Sequence, residues 1–322
     1  MSEQITGRAR RLLPPALKGR TALSLVAALV FVAVFYYPVG MVLTHTVDDD
    51  VDFTVTDADE SAGGSRAVAI ATALIRREVD DNRWVANDPW FLAPAALDNM
   101  PNYQQGIIGA LARFAFELTD QIGRTRGSSQ TDPDLQEASG QLQYAGNVWV
   151  FDFSTSIAPT TPSESRYRKA RRSLLAYNRR VAEGTAPFER RADNLLATLD
   201  RIALDIGASS AVLDQHIARH SGGFVDFRAD DLFYGVKGQT YAYYLLLREL
   251  GLDYENVIAE RELQKAWAQM LESMRNTAEL SPLVIINGDP DGAILPSHLA
   301  AQGFYLLRAR TRLKEITNIL LK

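Results

Sequence analysis

The chain has 322 residues, 47 % of them hydrophobic and 23 % charged, an ordinary globular balance long enough for one large domain or two small ones. It contains no cysteine, which excludes disulfides, thiolate nucleophiles and cysteine metal sites. The net charge of -5 is unevenly spread: before Val47, Arg8, Arg10, Arg11, Lys18 and Arg20 stand against Glu3 alone, leaving 29 basic and 38 acidic residues beyond. An acidic body is unsuited to the phosphate backbone, so no nucleic-acid partner is expected.

Residues 21–43, TALSLVAALVFVAVFYYPVGMVL, carry no charge and are long enough to cross a hydrocarbon layer. Basic residues precede this run, and Asp48, Asp49, Asp50 and Asp52 follow it. That asymmetry predicts a cytoplasmic N-terminus over 1–20, a single transmembrane helix over 21–43 and an exported body. A cleaved signal peptide has a shorter apolar core and ends on small residues, whereas this run ends on Tyr, Pro and Met. Tyr36 and Tyr37 are expected at the outer interface, where aromatic rings with polar tips are favoured.

Residues 44–64 are acidic and small and read as a linker, partly extended at VDFTV. Helical spacing dominates the remaining 65–322. Ile107, Leu111, Phe114, Leu118 and Ile122 mark one amphipathic helix, followed by a polar loop from Gly123 to Pro133. A capping hydroxyl at Thr161, Pro162 at the first helical position and Glu164 three residues after the cap start another. Its seam is Tyr167, Ala170, Leu174, Tyr177 and Val181, and Gly184 ends it. A second heptad seam over Phe188, Ala192, Leu195, Leu199, Ile202 and Ile206 closes at Gly207. Two such coiled-coil-like arms joined by a short turn predict an antiparallel hairpin. Further helices are expected at Ser210 to His220, Asp230 to Leu250, around Leu263 to Met274, and from Pro296 to the end, with Val284 to Ile286 as a short strand or core loop. The fold class expected is all-α: an N-terminal transmembrane helix followed by a multi-helix body containing that hairpin.

The segments TTPSESRYRKARRSLLAYNRRVAEGTAPFERRADNLLATLDRIALDIGASSAVLDQHI, FYGVKGQTYAYY and NGDPDGAILPSHLAAQGFYLLRARTRLKEI resemble a bacterial envelope family, domain of unknown function number 2333. The resemblance runs from the membrane segment to the C-terminus. It implies a bacterial inner-membrane protein with a periplasmic body, and it brings no assigned activity or catalytic residues.

Four patterns are candidates for chemistry or binding. His216 and His220 lie four apart, at metal-ligand spacing on one helix face, but HIARH lacks the glutamate of HExxH, and a third ligand would have to come from Asp214 or Asp226. Asn287, Asp289 and Asp291 alternate before Gly292 like the opening of a calcium loop, although its twelfth position is His298 instead of glutamate. Zinc at the first and calcium at the second stand against histidines at a helix end and a plain turn. Arg168, Arg171, Arg172 and Arg179 lie mainly opposite the seam of their helix, as a solvated face or a docking surface for acidic partners. Tyr234, Tyr241, Tyr243 and Tyr244 with Lys237 and Gln239 line either a polar pocket or the core. No phosphate loop or nucleophile elbow occurs. The leading expectation is a membrane-anchored, non-enzymatic scaffold or adaptor whose partners are the lipid bilayer, other envelope proteins or a second copy of itself, working without a cofactor. The alternative is a metal-dependent hydrolase acting on envelope polymers or lipids.

Overall fold

The computed structural model describes residues 19–56, 62–125, 131–152, 157–220, 226–282, 284–288 and 296–322. Among these are ten α-helices: α1 (Gly19–Thr44), α2 (Arg66–Arg76), α3 (Asn99–Thr125), α4 (Pro133–Leu142), α5 (Ser163–Ala182), α6 (Ala192–His220), α7 (Phe227–Asp253), α8 (Glu255–Glu260), α9 (Gln264–Ala278) and α10 (His298–Leu320). The only extended pairing among the described residues is a single antiparallel bridge between Asn287 and Ser297. The all-α expectation therefore holds.

Over Leu23–Thr44, α1 has a mean hydropathy of 2.3 and buries none of its residues in the protein, so it is long and apolar enough to cross a membrane. The body is organised around α7, which packs on α3, α2 and α9. On one side α3 carries α4, and α5 lies across α4 and α2. On the other, α6, α9 and α10 close the core. The α3–α7 crossing is close because neither helix has a side chain at the contact. A Cβ on Gly106 would lie 2.1 Å from the Gly235 carbonyl oxygen, and one on Gly238 would lie 2.0 Å from that of Tyr103.

α2, which is not among the helices expected from the sequence, buries Ala67 to Ile75 and keeps its charged side chains, Arg66 and Arg76, at its two ends. Its N-terminus is held from a distance: the Asp253 carboxylate accepts from the Arg66 and Ala67 N–H groups, both at 3.0 Å, and from the Ser65 hydroxyl at 2.8 Å. Those bonds satisfy amides that a helix start leaves orphaned.

The expected capping box at Thr161 does not form. The helix starts at Ser163 with Pro162 as its cap. Ser163 is buried and donates to the Ala145 carbonyl at 2.7 Å, while Glu164 accepts from the Asn87 amide at 2.6 Å. Tertiary partners have taken both side chains. At the other end Gly184 has φ +71, and Thr185 N–H donates to the Arg180 carbonyl at 2.8 Å, the left-handed closure its position predicts.

Gly207, expected to end the next helix, sits inside α6 with the Arg310 guanidinium packed over it. α6 consequently fuses the second arm with the helix expected at Ser210 to His220. Its partner is α10, and Gly207 facing Arg310 and Gly303 facing Asp214 make the pair antiparallel. The seams of α5 and α6 are both buried, but the helices pack on α4 and α2 in one case and on α10, α3 and α7 in the other, instead of on each other. Heptad spacing fixes which face of a helix is apolar and leaves its partner open.

Replacing Gly238 by Ala should destabilise the protein by roughly 1–3 kcal/mol, because a backbone must move to admit the methyl group. Gly109→Ala, on the exposed side of α3 with nothing within 4 Å of the added Cβ, should be neutral or stabilising by up to about 1 kcal/mol. Thermal melts of the detergent-solubilised protein compare the two.

Candidate functional site

The stretch expected as a free linker is, from Thr46 to Phe53, inserted into the body directly beyond α1. Tyr103 donates to the Asp48 carbonyl and Tyr241 to the Asp50 carbonyl, both at 2.7 Å. Arg248 donates to the carbonyls of Val51 (2.9 Å) and Phe53 (2.6 Å). Val51 is buried, and Phe53 and Val55 pack against the core. This strap supplies its backbone oxygens to donors that would otherwise be buried without acceptors.

Its side chains do the same for charge. α2 ends in a π-turn, Arg77–Asp81, closed by Asn82 N–H on the Arg77 carbonyl at 2.7 Å. The wider turn lets the adjacent residues Arg77 and Glu78 both face inward, at 4 % and 0 % exposure. Arg77 lies 2.7 Å from Glu78, 3.4 Å from Asp48 and over the Phe53 ring, and it donates to the Tyr241 hydroxyl. Burial opposes its charge, but Glu78, the two tyrosines and Asp48 outweigh that and push its pKa further up. Burial raises the Glu78 carboxyl above the usual range against the pull of Arg77. Lys237, 1 % exposed, donates to Asp49 at 2.6 Å and to the Leu280 carbonyl. The Lys237 and tyrosine cluster is thus core: Tyr241 and Tyr243 are fully buried and Tyr244 nearly so.

α1 makes a second contact. Tyr37 donates its hydroxyl to the Trp90 carbonyl at 2.6 Å and Tyr36 to that of Phe91 at 3.2 Å. Beside them Gly40 admits Ala93, of the 3₁₀ turn Ala93–Ala96, so closely that a Cβ on Gly40 would lie 2.2 Å from the Ala93 Cβ. Neither the strap nor this contact was legible in the sequence. The aspartate run was visible, but its buried counter-ions lie up to 188 positions away.

The histidine pair sits in the last turn of α6, with rings stacked at 4.6 Å. His216 Nε2 is 2.7 Å from Asp226, whose other oxygen caps α7 by accepting from Ala229 N–H. Burial pushes the Asp226 carboxyl up, but His216, Asn287 and the helix amide together hold it below the usual range. Asn287, itself buried, donates to Asp226 (3.1 Å) and to the His220 carbonyl (3.2 Å). These groups fasten the end of α6 to the start of α7. Among the described residues no three His, Asp or Glu side chains gather as a metal would require. Asp289 and Asp291 lie outside the described residues.

Of the arginines, Arg168 is paired with Asp80 at 2.7 Å, and Arg171 also has an interaction partner. Arg172 and Arg179 are exposed. On the far side of α7, Asp230 is partly buried near Asp98 and Asp231, and its pKa rises to about 6, chiefly from burial and then from those neighbours.

Asp49→Asn should cost roughly 3 kcal/mol, since it leaves a buried ammonium without its counter-ion. Lys237→Met should cost less, because Asp49, 34 % exposed, then turns to water. Denaturant titration gives the ranking, and faster proteolysis within 46–56 reports release of the strap. Asp230 carries a raised folded pKa, so between its ordinary value of 3.8 and about 6 the folded state binds the extra proton, and stability falls as pH rises through that window. Asp230→Asn should therefore raise the Tm at about pH 7 and leave it nearly unchanged at about pH 4.

No curated protein and no solved structure matches the chain. A family model described as "Uncharacterized protein conserved in bacteria (DUF2333)" matches residues 22–222 and 225–322. With the apolar helix and nearly the whole body inside that match, the chain belongs to this uncharacterized bacterial family.

Proposed function

We propose that this protein is a single-pass component of the bacterial inner membrane, with its N-terminus in the cytoplasm and its body in the periplasm, and that the body serves as a non-catalytic scaffold for other envelope proteins. The observation that carries this reading is the junction: α1 is fastened to the body by a buried ionic strap and by a backbone contact at Gly40. A rigid junction transmits a fixed height and orientation to whatever binds the body, which a flexible tether does not. The basic flank before α1 and the aspartates after it favour this topology. Arg172 and Arg179, exposed on α5 of an otherwise acidic body, suit a partner with an acidic face.

Alkaline phosphatase fused to the C-terminus should be active and a cytoplasm-only fluorescent reporter dark; the reverse pattern refutes the topology. Detergent-solubilised protein should co-purify with stoichiometric envelope partners, or with itself. Arg172→Glu with Arg179→Glu should reduce a recovered hetero-partner at least about tenfold, the effect of about 1.4 kcal/mol. Recovery of neither partner nor oligomer rejects the scaffold.

A further inference from the structure

We propose that Trp90, Phe91, Trp149 and Phe151 form a second membrane contact, inserted at the headgroup–acyl boundary beside α1, so that the body lies down on the bilayer. This rests on the reading of α1 as a membrane span. The four rings form a continuous ladder, with centroids 5.9 Å apart for Trp90–Phe91 and 5.6 Å for both Phe91–Trp149 and Trp149–Phe151. Trp90 is 81 % exposed, and Phe91 and Phe151 are 45 % exposed.

What covers this ladder follows from where it is tied. Tyr36, Tyr37 and Gly40 hold residues 90–93, and those three lie inside the apolar run of α1, not after it. Val42 and Leu43, further out on the same helix, are still 78 % and 80 % exposed. If lipid covers those side chains, it also reaches the height of Trp90 and Phe91, which are fixed a turn or more closer to the bilayer centre. Indole and phenyl rings gain most at that boundary, where an apolar body and a polar edge are both accommodated.

Several backbone polar groups of the same segment are met within the protein. Pro89 and Pro94 have no N–H to satisfy, and the carbonyls of Pro89, Leu92 and Pro94 accept from the N–H groups of Leu92, Ala95 and Leu97. The carbonyls of Trp90 and Phe91 are taken by the α1 tyrosines. Irregular backbone is tolerated at membrane depth only when its polar groups are met by protein in this way. Asp88, next to the segment, is paired with Arg83 at 2.9 Å.

The test uses the full chain in nanodiscs made from lipids brominated high on the acyl chains, against unbrominated lipids. Two of the four tryptophans are in the ladder, so bromine should quench roughly half of the wild-type emission. Trp90→Phe with Trp149→Phe keeps the ring surface and should abolish the quenching, because Trp84 and Trp267 are buried in the body. Equal wild-type emission in both lipids, from protein that resists alkaline extraction, overturns the proposal while leaving the anchor intact. Release by alkaline extraction overturns the anchor itself. Unquenched indoles whose emission shifts to the blue in discs holding two copies, and not in discs holding one, assign the ladder to a second copy and also overturn the proposal.

Discussion

A charge removed from water must meet a counter-charge, and the body of this protein removes several at one place. Arg77, Glu78 and Lys237 lie beneath the surface between α2, α3 and α7. Arg77 has Glu78 on its own turn, but part of its compensation, and the carboxylate opposite Lys237, come from Asp48 and Asp49. Those aspartates immediately follow the apolar helix, so neutralising the core also fixes α1 to the body. Ion pairs of this kind add little net stability over an apolar core of equal volume, yet breaking one is costly, which favours one docked geometry over many.

α1 is held at two levels. The strap grips the chain beyond α1, and the Gly40–Ala93 contact with its two tyrosine hydrogen bonds grips the helix near its C-terminal end. Two separated contacts restrain rotation as well as position. The body therefore has a fixed orientation relative to α1, and so do the exposed Arg172 and Arg179 of α5.

Residue types associated with chemistry do structural work elsewhere in the fold. His216, Asp226 and Asn287 tie the end of α6 to the start of α7, and the carboxylate doubles as a helix cap. Basic side chains in the last turn of α6 also suit the negative end of its dipole. His216 is turned to Asp226, one of the two carboxylates its spacing called for, and no group of three His, Asp or Glu side chains gathers among the described residues.

By itself the sequence determined the apolar helix, the all-α class, the apolar seams of α3, α5 and α6, and the glycine closure after α5. Each of these follows from solvation or local sterics within one segment: an uncharged run suits lipid, a 3.6-residue period buries one face, and Gly184 takes a positive φ without strain. Tertiary structure decided the rest. It turned the presumed linker into a strap, carried α6 through Gly207 because Arg310 covers it, and gave the seams of α5 and α6 different partners. It also enclosed α2 on every side and set the Asp253 carboxylate on its first amides. The physical reason is common to all four: a seam or a charge specifies that it needs a partner, and only the packed chain supplies which one.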